Sequence, residues 1–170
     1  NGDGNTNGGC AGSSGYFPAV AETTPQIKNN QFIRNNLVAI EARNGTTPVL
    51  DGNLFTDNGY PIRIESSYPT ITNSQITNST TSPNILNGIA IDGYTHFRKN
   101  FMLKKDLPYI LETNGTSLAP YVDSGATLTI EPGVIIKPNN LYNSAMFVNG
   151  GLIAQGTTEN PVIFTSFKIG

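Results

Sequence analysis

The sequence predicts an all-β solenoid in which short parallel strands stack in rungs of about 22 residues. Three observations predict it: a phrase of alternating apolar residues recurs at a regular interval, the composition is typical of short strands joined by turns, and the charges of successive copies are complementary. A unit of this length cannot bury its own apolar face. Stacking one copy on the next gives every strand a backbone partner and closes an apolar interior.

The repeat is clearest in the first half of the chain. A phrase that begins at Pro25 recurs at Pro48, and more loosely at Pro69 after a slightly shorter interval. In this alignment like residues coincide: Ile27 with Leu50, Phe32 with Phe55, and Asn30 with Asn53 and then Ser74. The alternation predicts strands with inward apolar side chains. The asparagines predict a ladder of side-chain amides at a corner.

A second alternating strand follows each copy. Its inward positions are Val38, Ile40 and Ala42, then Tyr60, Ile62 and Ile64, then Ile89 and Ile91. The interval before the last pair is longer because it contains Thr81-Ser82-Pro83-Asn84, which we interpret as a loop.

Charged residues support the same register. When the first two copies are stacked at the interval of the repeat, every stacked pair combines opposite charges: Lys28 with Asp51, Arg34 with Asp57, Glu41 with Arg63, and Arg43 with Glu65. An exposed pair contributes only about 0.2 to 1 kcal/mol, but like charges would oppose the stacking. We therefore assign these acids to ion pairs, and we expect no two acids to recur on one face of neighbouring rungs.

Four regions are expected along the chain. Residues 1–18 form a flexible linker rich in Gly and Asn, 19–94 a first array of rungs, 95–106 a basic connection, and 107–170 the start of a second array. The inward positions of the second array are Leu128, Ile130, Val134 and Ile136, then Leu152, Ala154, Val162 and Phe164, with Gly133 at a corner. We expect the strand at Val162 to leave an open edge that further rungs or another copy would cover.

Three phrases of the second array resemble a known family. They are Gly125-Ala-Thr-Leu-Thr-Ile-Glu-Pro-Gly-Val-Ile-Ile-Lys137, Val148 to Gly156, and Glu159 to Ser166. They resemble the opening rungs of right-handed parallel β-helix domains in large bacterial extracellular proteins. The first half resembles the Asn-rich repeats of the pectin-lyase-like superfamily, including its periplasmic nitrous-oxide-accessory branch. The resemblance covers residues 20 to 170 and implies a fold and a secreted or cell-surface location, but no particular activity.

Composition excludes several classes of function. Cys10 and His96 are each the only residue of their type, which argues against a His/Cys metal site or a His-based catalytic triad within one chain. The net charge is −2 and nothing resembles the concentrated positive surface that a phosphate backbone requires, so nucleic acid is not an expected partner. No run approaches the roughly 18 apolar residues that would insert into a membrane. No cofactor is expected.

Two candidate sites remain. Asp3, Asn5 and Asn7 have the spacing of the first half of a calcium loop, but Ser14 stands where a bidentate Glu is required, so a linker is preferred. Tyr68 and Tyr142 are candidates for stacking on a sugar ring, with packing at strand ends as the alternative interpretation. Glycosylation is left open at three Asn-x-Ser/Thr sequons: Asn44, Asn78 and Asn114.

These patterns favour a non-catalytic structural or adhesive segment of a secreted or cell-surface protein. One alternative is a module that binds carbohydrate and adheres to polysaccharide. A second is part of a polysaccharide lyase or epimerase whose catalytic rungs lie outside these residues. Such enzymes resemble one another in gathering several acids and a cation on one exposed strand. The candidates here, already assigned to ion pairs, are Glu41, Asp51, Asp57, Arg63 and Glu65.

Overall fold

The computed structural model describes residues 23–79, 83–112, 119–139 and 146–166. They form short strands that all pair in parallel. The strands are β1 (Gln26–Lys28), β2 (Gln31–Ile33), β3 (Val38–Arg43), β4 (Val49–Asp51), β5 (Leu54–Thr56), β6 (Tyr60–Glu65), β7 (Thr70–Thr72), β8 (Gln75–Thr77), β9 (Ile89–Ile91), β10 (His96–Phe97), β11 (Phe101–Leu103), β12 (Tyr109–Glu112), β13 (Tyr121–Val122), β14 (Thr127–Ile130), β15 (Ile135–Asn139), β16 (Phe147–Val148), β17 (Gly151–Ala154) and β18 (Ile163–Phe164). Among these described residues, no helix has the length and apolar character that crossing a membrane requires.

The strands follow one another in rungs of three, and each third strand of a rung joins the same six-stranded sheet, β3-β6-β9-β12-β15-β18. The other strands form two three-stranded sheets in the first half, β1-β4-β7 and β2-β5-β8, and two in the second half, β10-β13-β16 and β11-β14-β17. The predicted all-β parallel solenoid is therefore confirmed. Its rungs average roughly 24 residues, slightly longer than predicted, because loops such as the one between β8 and β9 lengthen some of them.

The predicted register of the first half is confirmed. Gln26 pairs with Val49 and Val49 with Thr70, at the same intervals that separate the prolines of the repeated phrase. Interior side chains consequently stack on their counterparts, and the rings of Phe32 and Phe55 lie parallel with centroids 5.0 Å apart. Each fully buried Leu, Ile or Phe side chain contributes roughly 1.5 to 3 kcal/mol relative to exposure.

The predicted register of the second half also holds. Leu128 pairs with Leu152 and Ile130 with Ala154. Gly133 turns the chain with a φ of 86°, a conformation that side chains with a Cβ disfavour. Phe164 lies opposite Ile136 in the interior column, yet it is 57% exposed because it belongs to the last described rung.

Tyr60 departs from the predicted pattern. Its side chain packs on the outer face of the six-stranded sheet with Leu86, Ala90 and Ile110 instead of entering the interior. The ladder between β3 and β6 pairs Val38 with Tyr60 and resumes beyond Pro61, which has no pair. Because proline has no N–H to donate, the strand is irregular at this point and the inward–outward alternation does not extend back to Tyr60.

Residues 95–106, predicted as a connection, contain β10 and β11, which begin the two sheets of the second half. The six-stranded sheet runs past this point without a break, since β9 pairs with both β6 and β12. The two arrays thus share one sheet and differ in the other two. The predicted linker at residues 1–18 lies outside the described residues.

Asparagine ladders line two corners of the first array. The predicted one is confirmed, since the backbone N–H of Asn30 donates to Asn53 Oδ1 at 3.0 Å and that of Asn53 to Ser74 Oγ at 3.4 Å. The second ladder consists of Asn35, Asn58 and Asn84. Asn58 is its centre: it accepts at Oδ1 from the backbone N–H of Asn35 at 3.1 Å and donates from Nδ2 to Phe32 O at 2.9 Å.

Replacing Asn58 with Ala is expected to lower the free energy of unfolding by about 2 to 3 kcal/mol, because it leaves partly buried backbone groups without partners. Chemical denaturation followed by circular dichroism measures the change. The control is Asn36→Ala, an exposed position, which should change stability by less than about 0.5 kcal/mol. Equal losses in the two variants would contradict a structural role for the ladder.

Candidate functional site

Acidic residues form a column on the outer face of the six-stranded sheet. The column consists of Glu65, Asp92 and Glu112. Each of them directly follows an interior residue, and these interior residues pair with one another in the sheet: Ile64, Ile91 and Leu111. The expectation that no two acids recur on one face of neighbouring rungs was therefore wrong. The sequence does contain a signal for this column, because an acid follows each apolar-x-apolar triplet. The signal was missed because residues 107–111 were assigned to a separate array.

Arg63 lies at the centre of these acids. Its Nη1 contacts Glu41 Oε1 at 3.0 Å and its Nε contacts Glu112 Oε2 at 3.1 Å. Its Nη2 contacts the carboxylate of Asp92, whose side chain is only 2% exposed. One guanidinium therefore compensates the negative charge of three carboxylates, each from a different strand or strand end. It can do so because the planar guanidinium holds several N–H donors in fixed directions.

A second arginine extends this network, which we call the Arg63 cluster. Arg43 Nε contacts Glu65 Oε2 at 3.2 Å, and its Nη2 contacts Glu41 Oε1 at 2.8 Å. The stacked pairs predicted between Glu41 and Arg63 and between Arg43 and Glu65 are thus confirmed. The cluster comprises Glu41, Arg43, Arg63, Glu65, Asp92 and Glu112.

The neighbouring carboxylates favour the charged state of Arg63. Burial disfavours a charged guanidinium, but the carboxylates of Asp92, Glu112 and Glu41 outweigh this effect and raise the pKa of Arg63. Burial and the neighbouring Glu112 likewise raise the pKa of the Tyr60 phenol. Arg63 is therefore a permanent cation around which the acids are ordered. Within the ranges that the structure describes, no group of three or more His, Cys, Asp or Glu side chains is arranged to hold a metal ion.

Leu86 closes the outer face beside the cluster. It comes from the segment between β8 and β9 and packs on Ala90 and Ile110, all three being buried. Because Ala90 pairs with Arg63 in the sheet, this cover lies beside the cluster. Asp92 and Glu112 are themselves buried, at 1% and 8% exposure, so their carboxylates face protein groups more than they face water.

Asp51 and Asp57, two further candidates from the sequence, lie away from the cluster. Asp51 Oδ1 accepts hydrogen bonds from Asn73 Nδ2 and Thr72 Oγ1, both at 2.9 Å, and these two bonds lower its pKa. Asp57 accepts from the backbone N–H of Ser79 at 2.7 Å, which lowers its pKa in the same way. Both act as hydrogen-bond acceptors within the fold.

Tyr68 lies where the first array meets the second. The ammonium of Lys99 stands 4.4 Å from the centre of its ring, and the rings of Phe97 and Phe101 approach it edge-on at 6.3 and 5.4 Å. Its hydroxyl oxygen accepts from the backbone N–H of Arg98 at 2.9 Å. A sugar stacking on the face that Lys99 covers would have to displace that side chain.

The other sequence candidates are not brought together with Tyr68. Asn44 is exposed at a turn, and Asn78 Oδ1 accepts from the backbone N–H of Asn84 at 2.9 Å. The remaining candidate positions lie outside the described residues: Asp3, Asn5, Asn7, Asn114 and Tyr142.

Two features were not predicted. The rings of His96, Tyr121 and Phe147 stack across β10, β13 and β16 with centroids 4.8 and 4.7 Å apart, and we call them the aromatic ladder. A cleft of about 210 Å³ opens between β7 and β11, with Tyr68 in its lining. The aromatic ladder and the cleft both depend on how residues of different rungs align. The alternation of residues within one strand does not predict that alignment.

Replacing Arg63 with Met is expected to lower the free energy of unfolding by about 3 kcal/mol, because buried carboxylates lose their counter-charge. Arg43→Met is the matched control. Its side chain is 49% exposed, against 21% for Arg63, so a loss below about 1 kcal/mol is expected. Denaturant titration of both variants provides the measurement. If Arg63→Met is as stable as the wild type, the cluster does not hold the sheet together.

Acid is expected to destabilise the fold through Asp51 and Asp57. Because their pKa values are lowered in the folded state, their contribution is present above the ordinary value of 3.8 and is lost as the pH falls through the lowered values. The free energy of unfolding should therefore fall more steeply below pH 3.8 in the wild type than in the double variant Asp51→Asn, Asp57→Asn. Identical pH profiles of the two proteins would refute this assignment.

Of three comparisons with known proteins, one found a match, and that match agrees with the observed fold. A search of curated proteins and a search of solved structures each found no match. Residues 16–167 match the family described as "Right handed beta helix region". Because this match covers most of the sequence and the strands stack as the family description requires, the chain belongs to the right-handed β-helix family.

Proposed function

We propose that this chain is a non-catalytic structural or adhesive section of a secreted or cell-surface protein, in which the β-helix acts as a rigid spacer. The observation that carries the proposal is the continuity of its side-chain columns. Interior apolar residues, corner asparagines and outer charges each stack on their counterparts over successive rungs. A fold whose side chains serve mainly to hold rungs in register suits a load-bearing or spacing role.

The state of the acids supports a non-catalytic role. A general base must be free to accept a proton at the reacting atom. Within the Arg63 cluster, Asp92 and Glu112 are held by the guanidinium of Arg63. Outside it, Asp51 and Asp57 accept hydrogen bonds from neighbouring residues. Using any of these carboxylates as a base would first require breaking contacts that stabilise the fold.

The last described rung supports a role in assembly. Val148, Leu152 and Phe164 occupy interior columns, yet each is at least 41% exposed because no described rung lies over them. An apolar face bordered by unpaired strand edges is stabilised when another rung stacks on it. We propose that a further β-helix rung, from the same chain or from another copy, covers this face.

Adhesion to polysaccharide is the second candidate function, and the aromatic ladder favours it. Tyr121 and His96 are partly exposed on a lateral face and Phe147 is exposed, so their ring edges form a continuous stripe. Aromatic rings are common contacts for sugars. Binding to insoluble polysaccharide that is lost in Tyr121→Ala would favour this candidate over a passive spacer.

A polysaccharide lyase or epimerase whose catalytic rungs lie outside these residues is a third candidate. The Arg63 cluster supplies the charge types that such chemistry uses, but in a mutually neutralised form. Release of unsaturated or reducing sugars by this chain in the presence of calcium would overturn the non-catalytic proposal.

The assembly proposal predicts concentration-dependent association of the chain, measured by size-exclusion chromatography with light scattering. Leu152→Glu should abolish it, since a charge in an interior column opposes stacking. Ile153→Glu is a matched control on the same strand: the two residues are 42% and 44% exposed, but Ile153 pairs with the outward Thr129. It should associate like the wild type. A wild type that is monomeric at all concentrations, or equal effects of the two substitutions, would contradict the proposal.

A further inference from the structure

The cleft between β7 and β11 arises where the two arrays meet. β7 ends one three-stranded sheet and β11 begins another, and the two strands do not pair. The wall of the solenoid is therefore interrupted, and the opening reaches the buried side chain of Tyr109. Its volume of about 210 Å³ is smaller than the roughly 300 to 1,000 Å³ of sites for drug-sized ligands, so it suits a single small molecule.

The polar side chains that line the cleft offer mainly hydrogen-bond donors. Asn100 Oδ1 already accepts from the backbone N–H of Thr127 at 2.9 Å, which leaves its amide hydrogens for another partner. The hydroxyl oxygen of Tyr109 accepts from the backbone N–H of Lys104 at 3.1 Å, so its own proton is directed elsewhere. The Tyr68 hydroxyl is engaged as an acceptor in the same way.

Two further properties strengthen this donor character. Burial raises the pKa of the Tyr109 phenol, which therefore keeps its proton at neutral pH. Lys104 lines the cleft, and its ammonium has no ion-pair partner among the residues that the structure describes. Phe101 and Met102 add an apolar wall, and the Met102 side chain is 46% exposed.

We propose that this cleft binds the carboxylate of a small organic acid, with Lys104 as its counter-cation. Carboxylate oxygens accept hydrogen bonds without donating any, which matches donors from Asn100, Tyr68 and Tyr109. The apolar body of the acid then contacts Phe101 and Met102. The site is separate from the Arg63 cluster and does not depend on the structural role proposed for the chain.

The bound carboxylate can come from three sources: a free organic acid, an acidic sugar residue, or the C-terminus of a peptide. Benzoate, glucuronate and N-acetylglycine serve as the respective probes. Isothermal titration of the full chain with each probe is the experiment. For ligands of this size a Kd on the order of 1 mM is expected for the matching source. Failure of all three probes to bind would overturn the proposal.

Charge recognition is tested with the probe that binds best. Lys104→Met keeps the aliphatic stem and should weaken binding at least about tenfold, whereas Lys104→Arg should retain most of it. The matched control is the neighbouring Lys105→Met, outside the lining, which should bind as the wild type does. The neutral amide of the same acid should bind at least about tenfold more weakly than the acid. Equal binding of acid and amide, or equal losses in Lys104→Met and Lys105→Met, would show that the cleft does not recognise a carboxylate.

Discussion

Backbone hydrogen bonds between successive rungs of the six-stranded sheet hold the rest of the structure in place. Bonds such as Asp92 N to Ile64 O and Thr165 N to Ile136 O, at 2.9 and 3.0 Å, fix which residue lies over which. Because a parallel ladder advances every strand by a whole rung, like side chains are brought together at each level. Apolar columns, amide ladders and ion pairs are therefore consequences of one register, and a shift of one residue would turn interior side chains outward.

The same sheet explains how the solenoid can exchange its other two sheets for new ones halfway along the chain. β9 connects the rungs of the first array to those of the second, while the other two sheets stop and start again around it. The Arg63 cluster crosses this junction on the outer face, since Arg63 belongs to the first array and Glu112 to the second. The cleft lies at the same junction, between the unpaired strands β7 and β11. The continuous sheet thus carries the charged network across the junction, whereas the interrupted sheets leave an opening that reaches Tyr109.

Much of the fold could be predicted because it repeats in the sequence. Prolines and asparagines recur at the offsets that the strands use, and complementary charges fix the first register. Glu112 was missed as a partner of Arg63 because the residues just before it were assigned to a separate array, whose rungs do not follow the first at a fixed interval. Tyr60 was misplaced because Pro61 interrupts the ladder. The cleft leaves no sequence pattern, since it results from strands of different sheets that fail to pair.

Native-state hydrogen exchange can test whether the six-stranded sheet joins both arrays into one cooperative unit. Amides of β6 in the first array and of β15 in the second would be followed at increasing denaturant concentration. If the sheet unites the two arrays, both sets exchange through the same global opening, with one free energy and one denaturant dependence. If β6 opened at distinctly lower free energy while β15 stayed protected, the two arrays would be independent units and the shared sheet would not unite them.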